Sequence, residues 1–118
     1  YMTHKTLKVA NILTGEKINI GVIDVFLLKP LNEELFFKSL SKYEYVITLE
    51  EGFINKGGLD SLVSGILDSR NSDTKLKRMG FNDGYVFDIG SREYLHKLNS
   101  LDEENIIRNI KSIAKLHQ

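Results

Sequence analysis

The sequence predicts an α/β fold, specifically a three-layer α/β/α sandwich around a mainly parallel sheet. Short apolar runs typical of buried strands alternate with amphipathic stretches of about ten residues that are typical of helices. Strands that are separated by a helix of this length run parallel, because an antiparallel hairpin needs only a short turn. The 118 residues suffice for one core, so we expect a single domain over residues 1–118.

The individual elements follow from capping residues and from apolar periodicity. Thr3 is the expected N-cap of a first helix that runs to about Thr14, with Leu7 on its buried face, and Gly15 is the expected stop. The run at residues 18–25 is predicted to be a buried strand. The later predicted elements are a helix capped by Asn32, a strand over residues 45–49, a helix with an apolar stripe over residues 59–67, an edge strand over residues 76–79, a short helix capped by Ser91, and a helix over residues 102–116.

Composition argues against several classes of partner. Lys and Arg together number 16, as do Asp and Glu, so the chain lacks the basic field that nucleic acids or anionic membrane surfaces require. No apolar run approaches the roughly 20 residues of a membrane span. Cysteine is absent, which fits a reducing compartment. We therefore expect no nucleic-acid or membrane partner and a cytoplasmic location.

The segment "EEGFINKGGLD" contains two adjacent carboxylates after an apolar run. Side chains of neighbouring residues in an extended backbone point to opposite faces, so Glu50 and Glu51 do not form a carboxylate dyad. We expect one to face inward, satisfied by backbone N–H groups or a cation, and the other to face solvent. Acid–base chemistry and contacts with a partner are the alternatives.

Gly57 and Gly58 open the predicted helix at residue 59 and permit either an anion site or a tight turn with close backbone approach. The segment lacks the Gly-Lys-Ser/Thr of a phosphate loop, and Asp60 in the first helical turn repels phosphate. The tight turn is therefore the favoured interpretation.

No catalytic, cofactor-binding or metal-binding residue is assigned. His4, His96 and His117 lie on three separate helical segments without metal-ligand spacing, and His96 is interpreted as a solvated residue. Ligands of open α/β sheets bind beyond the carboxyl ends of the strands. The residues there that suit contact with a neighbouring domain or subunit are Glu51, Phe53, Lys56, Gly57 and Gly58.

Several segments taken together resemble one family. They are "HKTLKVANIL", "INIGVIDVFLLKPLNEEL", "YVITLEEGFINKGGLDSLVSGIL", "KLKRMGFNDGYVFDIGSREYL" and "LDEENIIRNI". In this order they resemble the C-terminal domain of the transketolase family of thiamine-diphosphate enzymes. That family comprises transketolase, deoxyxylulose-phosphate synthase and the β subunit of 2-oxo-acid dehydrogenases.

The resemblance implies a parent enzyme that transfers a two-carbon ketol unit between sugar phosphates with thiamine diphosphate and Mg²⁺. Both would bind to N-terminal and pyrimidine-binding domains outside this chain, whereas this domain would bind no cofactor, support a homodimer and be inactive alone. The alternatives are the C-terminal part of deoxyxylulose-phosphate synthase and a docking module of a dehydrogenase β subunit. The chain would be a fragment of a longer enzyme or a separate subunit.

The chain also departs from the family pattern. Ile89 stands where the family has a histidine before Gly90 and Ser91, and Asn82 replaces a glycine of the metal-binding motif. The family's first strands, one of them central in the sheet, precede the segment that begins at Tyr1. We therefore expect the strands of Ile20 and Ile47 not to pair directly, and something else to fill the gap between them, since unpaired buried backbone is costly.

Overall fold

The computed structural model describes residues 1–115, which form five helices and two strands. In chain order the elements are α1 (Met2–Gly15), α2 (Glu33–Leu40), β1 (Tyr45–Phe53), α3 (Leu59–Ser69), β2 (Lys75–Phe81), α4 (Arg92–Leu98) and α5 (Glu103–Lys115). They fall into two compact units. One unit contains α1, α4 and α5, and the other, Val25–Gly84, contains α2, β1, α3 and β2.

The sheet lies in the second unit, where β1 and β2 pair in parallel with Tyr45 opposite Lys75 and Leu49 opposite Met79. The pairing is irregular between Leu49 and Phe53, and it resumes with Phe53 opposite Phe81. Helix α3 connects the two strands, as the alternating pattern predicts. The α/β class and the parallel direction of the sheet are confirmed.

The core of this unit lies between α2 and α3. Helix α2 begins after Asn32, whose side chain accepts a hydrogen bond from the Leu35 N–H at 3.0 Å, so the predicted cap is confirmed. The buried side chains of this core are Phe36, Leu40, Val63, Ile66 and Leu67. Three of them belong to the apolar stripe predicted for α3, which confirms the helical periodicity.

In the first unit, α1 packs against α5. Its buried apolar side chains include Val9, Leu13, Leu101, Ile106 and Ile110. The predicted inner face of α1 is wrong in part, because Leu7 is 48 % exposed whereas Val9 is buried. Tyr1, not Thr3, is the residue at the N-cap, and the left-handed residue after the helix is Lys17 rather than Gly15.

The strand predicted at residues 18–25 does not form. Within residues 1–115 the sheet consists of β1 and β2, and this segment joins neither of them. Apolar composition alone does not create a strand, because its backbone N–H and C=O groups need a neighbouring strand. Ile20 therefore lies in no strand that could pair with Ile47, and the expectation that something fills a gap between the two strands stays a prediction.

The two remaining helices agree with the sequence. Ser91 caps α4 by accepting from the Tyr94 N–H at 3.2 Å. Asp102 precedes α5 and accepts from the side-chain amide of Asn105 at 2.5 Å. The predicted end of α5 at residue 116 and His117 lie outside the described residues. No helix within residues 1–115 has the length and apolarity to cross a bilayer.

Candidate functional site

The carboxyl end of β1 is shaped by close approach to β2. A Cβ atom on Gly80 would lie 2.7 Å from the carbonyl oxygen of Gly52 and 3.0 Å from the side chain of Ile54. Only a glycine on β2 therefore lets the irregular part of β1 come this near. The Ile54 N–H then donates to the Phe81 carbonyl at 3.0 Å, which directs the chain into the loop before α3.

Glu50 turns inward and binds the first turn of α3. Its carboxylate accepts hydrogen bonds from the N–H groups of Leu59, at 3.0 Å, and Asp60, at 3.2 Å. These are orphan donors at the positive end of the helix dipole, where an anion is favoured. The prediction that one of the two adjacent acids is satisfied by backbone N–H groups is confirmed, and the position of an external anion is taken by Glu50.

The two glycines before α3 serve this arrangement in different ways. Gly57 has a φ of 84°, a left-handed conformation that favours glycine. A Cβ atom on Gly58 would lie 2.3 Å from a carboxylate oxygen of Glu50. The predicted tight turn is present, but the close approach at Gly58 is to the Glu50 side chain rather than to backbone.

Asp60 is the fully buried acid of this loop, with an exposed fraction of 0 %. Its carboxylate accepts from the N–H groups of Asn55 and Ser61, each at 2.7 Å, and a guanidinium nitrogen of Arg78 lies 3.5 Å away. Burial raises the pKa of Asp60, but the hydrogen bond from the Asn55 N–H, a side-chain hydrogen bond with Glu50, the hydrogen bond from the Ser61 N–H and the Arg78 charge outweigh burial and leave this pKa below its ordinary value. Asp60 is therefore a charged structural group.

The outer side of the same loop carries the predicted contact residues. Glu51 is exposed, Phe53 is 43 % exposed, and the Phe53 ring meets Phe81 edge-on with centroids 6.4 Å apart. The ammonium of Lys56 pairs with the Asp83 carboxylate at 2.9 Å, which joins the loops that follow β1 and β2. Nothing tests the role of these residues in contacts with a partner, so that role stays a prediction.

A second polar group in the first unit escaped the sequence analysis. The Lys5 ammonium is buried, lies 2.6 Å from Nδ1 of His96 and donates to the Leu101 carbonyl at 3.1 Å. The interpretation of His96 as solvated is wrong, since its exposed fraction is 1 %. One signal was available: Lys5, Val9 and Leu13 are spaced four residues apart and share one helical face.

The described residues do not provide a cluster suited to the metal ion that the resemblance implies. Within residues 1–115 there is no group of three or more His, Cys, Asp and Glu side chains suited to hold a metal ion. The carboxylates of Glu50 and Asp60 already accept backbone hydrogen bonds. Asp83, in the segment that resembles the metal-binding motif, is paired with Lys56. No catalytic step is therefore derived from this chain.

The fold is that of an α/β domain in which the two acids beside the loop, Glu50 and Asp60, hold the backbone of the loop rather than a ligand. The family model of the transketolase C-terminal domain matches residues 1–106, and the chain belongs to this family. This family of domains occurs in thiamine-diphosphate enzymes such as deoxyxylulose-phosphate synthase and transketolase. The expected fold is confirmed by a solved structure described as a split-gene transketolase in an inactive β4 tetramer. That structure is 30 % identical with a TM-score of 0.80 and is matched over 94 % of this chain and 35 % of its own.

Curated relatives agree with this assignment. A 1-deoxy-D-xylulose-5-phosphate synthase of Parabacteroides distasonis is 32 % identical over 92 % of this chain, and one of Pasteurella multocida is 35 % identical over 91 %. One subunit of an apulose-4-phosphate transketolase of Actinobacillus succinogenes is 32 % identical over 80 %. The chain spans 17 % of the length of both synthases and 30 % of the transketolase subunit.

Proposed function

We propose that this chain is the structural and dimer-supporting C-terminal domain of a cytoplasmic, thiamine-diphosphate-dependent enzyme of the transketolase type. The parent enzyme transfers a two-carbon ketol unit between sugar phosphates, and the domain is not catalytic alone. One observation carries the structural role. Glu50 and Asp60, two acids at the expected ligand edge, both accept hydrogen bonds from backbone N–H groups of the segment between β1 and α3.

The partners in this proposal are the N-terminal and pyrimidine-binding domains, which supply the thiamine-diphosphate and Mg²⁺ sites. Two of the matched proteins support partnership with other subunits, since one is itself a single subunit of a transketolase and the other is a split-gene transketolase. The contact surface is the outer side of the end of β1 and of the loop that follows it, with Glu51, Phe53 and Lys56 at its centre and Gly57 and Gly58 just before α3.

A second candidate is the C-terminal part of a 1-deoxy-D-xylulose-5-phosphate synthase. It is favoured by the matched synthases, which align over about nine-tenths of this chain in three separate bacteria. The docking module of a 2-oxo-acid dehydrogenase β subunit, the remaining alternative, has no comparable support among the relatives named above.

Product analysis of the full-length protein with its partner subunits distinguishes these functions. Ketol transfer between sugar phosphates supports the first proposal, and formation of 1-deoxy-D-xylulose 5-phosphate supports the second. Residues 1–118 alone are expected to yield neither product. The absence of both activities from an assembled, cofactor-loaded protein would overturn both candidates.

The contact surface has its own test. Reversing the charge of Lys56 (Lys56→Glu) breaks its pair with Asp83 and changes the outer side of the loop, so we expect assembly with the partner domains to weaken about tenfold or more. The free energy of unfolding should change by no more than about 1 kcal/mol, because the Lys56–Asp83 pair is exposed. Lys42→Glu is the matched control, since Lys42 is exposed in the turn after α2. Equal assembly of both variants would contradict the proposed surface.

A further inference from the structure

We propose that Glu50 and Asp60 form a carboxylate latch that holds the loop between β1 and α3 in one conformation and opens without unfolding the core. The latch consists of these two side chains and the backbone N–H groups of Asn55, Leu59 and Asp60 that they bind. The latch controls the conformation of the loop, and it is tested by amide exchange of the loop residues. The test therefore does not depend on the enzyme reaction proposed above.

The latch spans the loop in both directions along the chain. Glu50, on β1, reaches forward to the N–H groups of Leu59 and Asp60 at 3.0 and 3.2 Å. Asp60, on α3, reaches back to the Asn55 N–H at 2.7 Å. The low pKa of Asp60 leaves it ionised, which makes its bond to the Asn55 N–H stronger than a bond between neutral groups. Residues 54–58 are thereby enclosed between two carboxylates.

The loop contains one non-glycine residue, Asn55, in a backbone conformation that costs free energy. Asn55 has a φ of 62° and Gly57 one of 84°, so two of the enclosed residues lie in the left-handed region. That region is costly for an L side chain, although asparagine tolerates it better than most residues. The Asp60 carboxylate fixes Asn55 directly, and the Ser61 hydroxyl accepts from the Gly57 N–H at 3.0 Å.

The two carboxylates of the latch are not among the buried core side chains of the same unit, and the contact between latch and core is made by Leu59, whose N–H binds Glu50 and whose side chain packs against the core. The core side chains Phe36 and Leu40 of α2 meet Val63, Ile66 and Leu67 of α3, and the latch residues are not among them. Contacts at the edge of a unit can open by themselves, with a free energy below that of global unfolding. Loss of the latch therefore frees the loop, with Lys56 and the two glycines, and leaves the packing of α2 on α3 intact.

The charged groups around the latch come from each neighbouring element. Arg78 on β2 faces Asp60 at 3.5 Å, and Glu50 on β1 and Asp60 on α3 are the two acids of the latch. The Lys56–Asp83 pair lies on the outer side of the loop, and Glu51 is exposed. The Arg78 charge adds to the hydrogen bonds with Asn55, Glu50 and Ser61 that hold the pKa of Asp60 below its ordinary value.

Hydrogen exchange of the full-length protein tests the proposal. In Glu50→Ala we expect exchange of the Asn55, Leu59 and Asp60 amides to accelerate roughly tenfold to a hundredfold, the equivalent of lost hydrogen bonds to a charged acceptor. Amides of Val63–Leu67 should exchange as in the unchanged protein. Asp60→Asn should accelerate the Asn55 amide in the same way. Asp73→Ala is the control, since it removes an exposed carboxylate in the connection before β2, and the loop amides should remain protected in it.

Two results would overturn the latch. Loop amides that remain protected in Glu50→Ala would show that the carboxylate does not hold the loop. Equal acceleration of the loop amides and of Val63–Leu67 would show a global stabilising role instead. If Glu50→Ala does not fold, Glu50→Gln is measured, since it keeps the shape and one acceptor oxygen. In Glu50→Gln one acceptor oxygen faces the two donors Leu59 and Asp60, so at least one of these two amides should exchange faster, and protection of both would overturn the latch.

Discussion

Gly58 provides the sharpest stability prediction for a single residue. The Cβ atom of Gly58→Ala would lie 2.3 Å from the Glu50 carboxylate, so the carboxylate must leave its position at α3. We expect a loss of about 1–3 kcal/mol in the free energy of unfolding, measured by urea titration, from overpacking and displaced hydrogen bonds.

Gly65→Ala is the matched control, because it makes the same change within α3 at a position with no atom within 4 Å of the new Cβ. Alanine in an exposed helix interior should raise stability by about 0.5–1 kcal/mol. If the free energy of unfolding falls in Gly58→Ala and rises in Gly65→Ala, the contact with Glu50 is the cause of the loss in Gly58→Ala. A neutral Gly58→Ala would contradict the arrangement described for Glu50 and α3.

The buried pair of Lys5 and His96 yields a coupling prediction. Lys5→Met keeps most of the side-chain volume but leaves Nδ1 of His96 and the Leu101 carbonyl without the ammonium donor. We expect Lys5→Met and His96→Leu each to lower the free energy of unfolding by about 1–3 kcal/mol. The double variant should lose less than the sum, because both polar partners are then gone. Additive losses in this double-mutant cycle would refute the pairing.

At the scale of elements, sequence patterns correctly predict the helices and caps that depend on interactions between residues close together in the chain. The apolar spacing that predicts α3 lies within one helix, and the caps of Asn32 and Ser91 reach only three residues along the chain. The strand at residues 18–25 fails because a strand requires a neighbour that no local pattern supplies. His96 was misplaced for the same reason, since its partner Lys5 is 91 residues away in the sequence.

The loop between β1 and α3 depends both on local sequence patterns and on contacts between residues distant in the chain. Alternation along an extended backbone predicts correctly that only one of Glu50 and Glu51 faces inward. Which acid it is, and what it binds, depends on the irregular pairing between Leu49 and Phe53 and on the space left by Gly58. The sequence therefore predicts that one of the two acids faces inward, whereas tertiary packing determines that this acid is Glu50.

We expect the same loop to lose stability at low pH, because its buried acid Asp60 becomes protonated. The pKa of Asp60 is lower in the folded state than its ordinary value of 3.8, so the folded state binds fewer protons and the carboxylate stabilises it above that pH. This stabilisation is lost as the pH falls from about 3.8 through the lower folded pKa. Asp60→Asn should cost about 1–3 kcal/mol at pH 7.

Urea titrations of the unchanged protein and of Asp60→Asn between pH 7 and pH 3 measure this difference. It should be largest at neutral pH and shrink as the pH falls below about 4. Asp73→Asn, an exposed acid in the connection before β2, serves as the control and should differ little from the unchanged protein at any pH. A difference for Asp60→Asn that is constant with pH would mean that its ionised form is not what stabilises the loop.

For the molecule as a whole, the proposed parent enzyme is tested by whether thiamine diphosphate binds, and to which part of the protein. A ligand that binds only the folded state stabilises it by about 2.7 kcal/mol at a hundredfold excess over Kd. Since the described residues offer no metal cluster and the loop acids are occupied by backbone donors, residues 1–118 should show no shift in melting temperature with thiamine diphosphate and Mg²⁺. The full-length protein with its partner domains is the positive control and should be stabilised. A shift in residues 1–118 alone would place a cofactor site in this domain, whereas no shift in the assembled protein would contradict the proposed parent enzyme.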